Sequence, residues 1–205
     1  AGSARPLLRD PRPVPEIHGE TGIDGWDWAP ARQGAAPGHA VDYLVKTLLG
    51  HSEKITLIVL GPQTNIALAL RRAPDIAERI DQIVFMGGGF FEGGNKSPAA
   101  EYNILVDPEA ARIVLKAGVP VTAVPLDCTH ATPAPVNWSA ALAAHGSEVM
   151  RACAGMMEFF ERYGNAKYGT ASRPLHDAVA VAALLWPELF TGRLCPVDVE
   201  CAGEL

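Results

Sequence analysis

Apolar residues recur at Ala40, Val41, Leu44, Val45, Leu48 and Leu49, the spacing of one helix face, and predict an amphipathic helix over 38–51. The run 55–60 is different: continuous, apolar, rich in β-branched residues, and closed by Gly61-Pro62. It predicts a buried strand leading into a helix that carries Ile66, Leu68 and Leu70. A second strand is expected over 83–86, before Gly87-Gly88-Gly89, and a third over 119–126. Between them Asp107-Pro108-Glu109 spells a helix start, with an acceptor at the cap, proline in the first position and an acid in the first turn. Gly118 stands where that helix should stop. Further on, 135–163 reads as one helical stretch with Met150, Cys153, Met157 and Phe160 as its core stripe. A helix over 177–185 follows, and 195–201 alternates like an edge or outer strand.

Strands alternating with helices imply crossover connections and an α/β fold, with a mainly parallel open sheet flanked by helices. Residues 1–37 depart from that regime. Six prolines (Pro6, Pro11, Pro13, Pro15, Pro30 and Pro37) interrupt any periodicity there, so a loop-rich segment is expected to precede an α/β core over 38–205. With no repeat or linker between them, 1–205 is read as a single domain.

Composition then narrows the function classes. Seventeen Lys+Arg against 23 Asp+Glu leave a net charge of −6, which argues against a nucleic-acid surface. No apolar run approaches the ~20 residues of a membrane-spanning helix. Four cysteines (Cys128, Cys153, Cys195 and Cys201) form no CxxC pair and read as reduced thiols of a cytoplasmic protein.

In open α/β sheets, ligands bind beyond the carboxyl ends of the strands. The second strand there runs into Met86-Gly87-Gly88-Gly89, then Gly93-Gly94-Asn95 and Glu101-Tyr102-Asn103. Glycines admit close backbone approach, and Asn and Glu suit hydroxyl groups. A dinucleotide fingerprint fails, because Glu92 occupies the position of its last glycine, and no GxxxxGK[ST] is present. His176-Asp177 opens an apolar helix; Asp177 serves there either as an N-cap or as an oxygen ligand for a hard cation beside a titratable imidazole. Trp26 and Trp28 are better suited to packing than to stacking on a base.

In order along the chain, Leu60-Gly61-Pro62-Gln63-Thr64-Asn65, Met86-Gly87-Gly88, Asn95, Ser97 to Asn103, Asp107-Pro108-Glu109-Ala110-Ala111, Val124-Pro125-Leu126-Asp127 and Pro174-Leu175-His176-Asp177 are similar to segments of one family. This ordered set resembles the inosine–uridine-preferring nucleoside hydrolases. The resemblance implies a nucleoside hydrolase-like, Rossmann-like topology and hydrolysis of the N-glycosidic bond of purine or pyrimidine ribonucleosides to base and ribose. It implies a calcium ion, with the Asp177 carboxylate and the Leu60 backbone carbonyl among its ligands. Asn95, Glu101 and Asn103 would grip ribose hydroxyls and Met86 would line the sugar pocket. His176 would protonate the leaving base, and His18 would belong to a loop that closes over it. A homodimer or homotetramer is implied for the full-length protein.

One departure qualifies this. The family's aspartate cluster, Asp-x-Asp-Pro-Gly-x-Asp-Asp on its first strand, has no counterpart here. Calcium prefers 6–8 oxygens, so the site is expected to be incomplete in this chain. By comparison with the family the chain is expected to be truncated at both ends, leaving sheet edges uncovered. Without those aspartates the alternative is an inactive nucleoside- or ribose-binding module, or a structural subunit.

Overall fold

The computed structural model describes residues 1–135, 137–168 and 174–203. In chain order they form α1 (Pro15–His18), α2 (Ala40–Gly50), β1 (Ile55–Val59), α3 (Thr64–Arg72), β2 (Ile80–Met86), α4 (Tyr102–Val106) and α5 (Pro108–Leu115). Then come β3 (Val121–Val124), α6 (Leu126–Thr129), α7 (Trp138–Ala144), α8 (Glu148–Tyr168) and α9 (His176–Leu185). The chain divides into two compact units. One comprises Ala1–Pro11, Ala35–Thr129 and His176–Leu205; the other comprises Arg12–Gly34 and His130–Leu175.

The first unit holds the expected parallel sheet, ordered β1-β2-β3. β2 is central: Ile83 pairs with both Leu57 and Val121, and Phe85 with both Val59 and Ala123. Successive side chains of a strand point to opposite faces, and β2 buries both. Ile83 and Phe85 join a core with Val41 and Leu48 of α2, Ala67 and Leu70 of α3, and Ala110 and Val114 of α5. Val84 and Met86 join a separate core with Val124, Leu126, and Val179 and Ala180 of α9. Two-sided burial explains why the sequence of β2 is continuously apolar instead of alternating. β1 and β3 are the sheet's edges, and on the β1 side Ile58 and Leu60 each keep 38% of their surface exposed.

The start of α5 follows its sequence cue and then exceeds it. Asp107 caps the helix, its Oδ1 accepting the Ala110 N–H at 3.1 Å. Its Oδ2 accepts the Leu7 N–H at 3.0 Å and the Thr64 hydroxyl at 2.6 Å. One fully buried carboxylate thus joins the N-terminal segment, the start of α3 and the start of α5. Thr64 begins α3 as expected, while the Asn65 side chain accepts from the Ser3 N–H.

Two expectations need correction. The stretch 135–163 is not one helix: α7 ends before a break at 145–147, where Gly146 adopts φ +84°. That backbone is left-handed and favours glycine, so it ends one helix and re-aims the chain into the next. Over 148–162 of α8 the buried positions are Ala152 and Ala154, while Met150, Cys153, Met157 and Phe160 are half-buried. The small residues belong to a close approach within this unit, where a Cβ on either Gly25 or Gly155 would collide with the other's backbone. The alternating stretch 195–201 forms no strand. Its groups are held by side chains instead: Asp198 by Arg112 at 3.1 Å and Lys116 at 2.9 Å, and the Cys201 carbonyl by Arg9 at 2.6 Å. Alternation alone makes no ladder without a neighbouring strand.

Replacing Asp107 by Ala should destabilise the protein by about 3 kcal/mol, because two amides and a hydroxyl lose a buried partner at once. Asp107→Asn, which keeps one acceptor oxygen, should cost less. Urea denaturation of both variants checks this, and a loss below that of an ordinary single cap would refute the three-way junction.

Candidate active site

The carboxyl ends of the strands gather polar groups from four elements of the first unit. β2 ends at Met86 and passes into Gly87-Gly88-Gly89. Gly94 follows in a turn so tight that a Cβ there would strike the carbonyls of Ser97 and Ala100, and a Cβ on Gly89 would strike that of Gly93. These glycines are therefore required by backbone approach. The turn delivers Asn95, whose Oδ1 accepts the Tyr102 N–H at 3.0 Å.

Glu101 is the centre of the cluster. It is 2% exposed and caps α4: Oε1 accepts the Asn103 N–H at 2.9 Å, while Oε2 accepts those of Ile104 at 3.2 Å and Gly88 at 3.1 Å. Burial raises its pKa, the three backbone N–H donors work against that rise, and the nearby charge of Asp177 adds to it; the net direction is upward. Two carboxylates from separate elements, α4 and α9, thus feel one another across this end of the sheet. Asn103, in the first turn of α4, donates through Nδ2 to the Met86 carbonyl at 3.1 Å and to its sulfur at 3.4 Å. Met86 itself is 2% exposed and belongs to the core beneath α9.

His176 and Asp177 form the first turn of α9. His176 Nδ1 lies 2.7 Å from the hydroxyl of Thr129, which is fully buried. This hydrogen bond fixes the ring's orientation whichever partner donates: the hydroxyl donates to Nδ1 of one neutral tautomer, and Nδ1–H donates to the hydroxyl in the imidazolium. No feature of the local sequence marks Thr129 as a site residue. The two partners lie 47 residues apart, and no local pattern joins them. Leu60 follows β1 directly, placing its carbonyl at the same carboxyl end.

The structure therefore brings together Met86, Asn95, Glu101 and Asn103 in one hydrogen-bonded group, with Asp177 coupled to it and His176 beside Asp177. His18 belongs to the second unit; it is exposed on α1, and its ring stacks on Phe160 with centroids 6.2 Å apart and planes 4° from parallel. Among the described residues no three His, Cys, Asp or Glu side chains converge on a common point. Asp177 and the Leu60 carbonyl offer three oxygens at most, short of what calcium takes, so the described residues do not by themselves fit that ion. Among them, too, no helix is long and apolar enough to cross a membrane.

Comparison with known proteins identifies the family and the fold. The family model described as inosine-uridine preferring nucleoside hydrolase matches residues 1–205. An uncharacterised protein of Schizosaccharomyces pombe is 42% identical over 206 residues, covering 100% of this chain and 66% of that protein. The pyrimidine-specific ribonucleoside hydrolase RihA of Escherichia coli K12 is 40% identical over 204 residues, covering 99% of this chain and 65% of RihA. Among solved structures, the purine-preferring ribonucleoside hydrolase from Gardnerella vaginalis superposes with a TM-score of 0.92 at 29% identity, covering 99% of this chain and 66% of that one. The chain thus spans slightly under two thirds of these relatives' length.

The raised pKa of Glu101 has a stability consequence. An acid whose folded pKa lies above its unfolded value favours folding while protonated; that contribution is complete below the ordinary glutamate range and is lost as pH rises through the raised value. Denaturation midpoints over that window should fall with rising pH in the wild type, and Glu101→Gln should remove this component. Parallel pH profiles for the two proteins would contradict the assignment.

Proposed function

The chain belongs to the inosine–uridine preferring nucleoside hydrolase family, and from that premise we propose that the protein hydrolyses the N-glycosidic bond of ribonucleosides, releasing base and ribose. The observation that carries this reading is the buried Glu101, tied to Asn103 and Gly88 at the carboxyl end of a parallel sheet. The relatives' names differ in the base they prefer, pyrimidine in one and purine in another. What they share is the ribose, and the groups clustered here are those suited to hydroxyls.

Departure of the base leaves an oxocarbenium-like sugar. Asn95, Glu101 and Asn103 hold the ribose so that its ring meets that state without reorganising. His176 acts as the imidazolium, its Nδ1–H donating to the Thr129 hydroxyl, and delivers the Nε2 proton to the departing base, leaving neutral imidazole. In a completed site Asp177 and the Leu60 carbonyl would be among the ligands of a calcium ion, which would polarise the attacking water. Since the described residues fall short of a full ligand set, the steps assigned to them are confined to holding the sugar and moving a proton. That shortfall favours one alternative, an inactive ribose- or nucleoside-binding subunit. A cytoplasmic homodimer or homotetramer completes the proposal, and the free thiols of all four cysteines accord with a reducing compartment.

Ribose release from inosine, uridine and p-nitrophenyl riboside by the intact protein as encoded tests this reading. His176→Ala should lower kcat by about 10²–10⁴-fold on the nucleosides. It should do far less to the nitrophenyl riboside, whose leaving group departs without a proton. Asn103→Ala should raise KM about tenfold on all three. No release of ribose by the wild type would reject catalysis, and tight nucleoside binding in the same sample would then favour the alternative.

A further inference from the structure

Asp127 takes no part in the cluster just described, yet it controls the loop on which that cluster is built. It stands two residues before Thr129, in α6, at the carboxyl end of β3. Its Oδ2 accepts the Phe90 N–H at 2.8 Å, and its Oδ1 accepts those of Phe91 at 2.8 Å and Glu92 at 3.1 Å. Three successive amides of another loop therefore converge on one carboxylate. Around this clamp the sheet's hydrogen bonding continues past its last strand pair: Gly87 N–H donates to the Val124 carbonyl at 3.2 Å, and Leu126 N–H to the Gly88 carbonyl at 2.9 Å. Gly88 N–H then donates to Glu101 Oε2.

The clamp matters because it gathers the three successive amides at the tip of a glycine-rich loop. Residues 87–94 include five glycines, Gly87, Gly88, Gly89, Gly93 and Gly94, so the unrestrained backbone has a large entropy to lose. The loop's two aromatic residues do not anchor it through burial, since Phe90 is 48% and Phe91 is 91% exposed. Hydrogen bonds to an ionised acceptor are the stronger kind, and three of them meet at this carboxylate. Half-burial raises the Asp127 pKa, but the amide N–H groups of Phe90, Phe91, Asp127 itself and Glu92 outweigh it and hold the carboxyl below its ordinary value.

We propose that Asp127 is a positioning residue for the sugar pocket: by clamping the amides of Phe90, Phe91 and Glu92 it fixes the glycine loop in the one arrangement that presents Gly88 N–H to Glu101. Glu101 is thereby held where it caps α4 and orients Asn103. This inference rests on the reading of Glu101 and Asn103 as ribose-holding groups, and the test separates the two.

The experiment compares wild type, Asp127→Ala and Asp127→Asn in the intact protein, by ribose-release kinetics and by amide hydrogen exchange. In Asp127→Ala, KM for ribonucleosides should rise about tenfold with a smaller change in kcat. Exchange protection should be lost at Phe90, Phe91 and Glu92, and also at Gly88, Asn103 and Ile104, which Asp127 does not touch. Asp127→Asn keeps one acceptor oxygen and should fall between, and it supplies the measurement if the Ala variant does not fold. A kcat that falls at constant KM would mean only fewer folded molecules and would overturn the proposal. So would lost protection at 90–92 with KM unchanged, or intact protection at Gly88, Asn103 and Ile104. If the wild type releases no ribose, the hydrolase reading fails, and the exchange pattern alone decides the clamp.

Discussion

Everything at the candidate site depends on β2 being buried on both faces. Ile83 and Phe85 are committed to the core under α2, α3 and α5, while Val84 and Met86 are committed to the core under α9. A strand held from both sides cannot slip by one residue without exchanging its two apolar faces. Its last residue is therefore fixed, and the glycine loop leaves the sheet from a defined point. Asn103 reaches back to the same residue, bonding both the carbonyl and the sulfur of Met86. The polar cluster is thus referenced to the central strand of the sheet, the arrangement expected where irregular backbone must hold side chains in fixed positions.

Three carboxylates solve the problem this creates. Leaving a sheet through loops and short helices exposes backbone N–H groups with no partner in a ladder or helix. Asp107, Glu101 and Asp127 each gather several such donors: Asp107 those of Leu7 and Ala110 with the Thr64 hydroxyl, Glu101 those of Gly88, Asn103 and Ile104, and Asp127 those of Phe90, Phe91 and Glu92. Their depths differ with their tasks. Asp107 is sealed in a structural junction, and Asp127 remains half-exposed as a clamp. Glu101 is buried, and its carboxylate caps α4 while also holding Gly88 of the glycine loop. The same physical device secures three different departures of the chain from the sheet.

Much of this was legible from local sequence. The periodicity of 38–51 gives α2, the apolar runs give β1 and β2, and Asp107-Pro108-Glu109 gives the start of α5, because each depends on residues within one or two turns of one another. Even the polar cluster was visible as residue types, since Asn95, Glu101 and Asn103 follow a glycine-rich strand end. Its internal bonding was not. Nothing nearby in sequence couples Thr129 to His176 across 47 residues, or Leu7 to Asp107 across 100. The alternation over 195–201 suggested a strand, but a ladder needs a neighbour, and ion pairs from Arg112 and Lys116 hold that segment instead.

By itself, then, the sequence determined the strands and helices of the sheet-bearing core from 40 to 124, that the sheet is parallel, and which family's motifs the chain carries. These follow from short-range sterics, capping and periodic burial. Only the tertiary structure decided which donor meets which carboxylate: that Asp127 holds the glycine loop, that Thr129 orients His176, and that Asp177 acts on Glu101. The reason is that hydrogen bonds and charge coupling operate over a few ångströms of space. The chain brings those groups together only after its two cores have closed on β2.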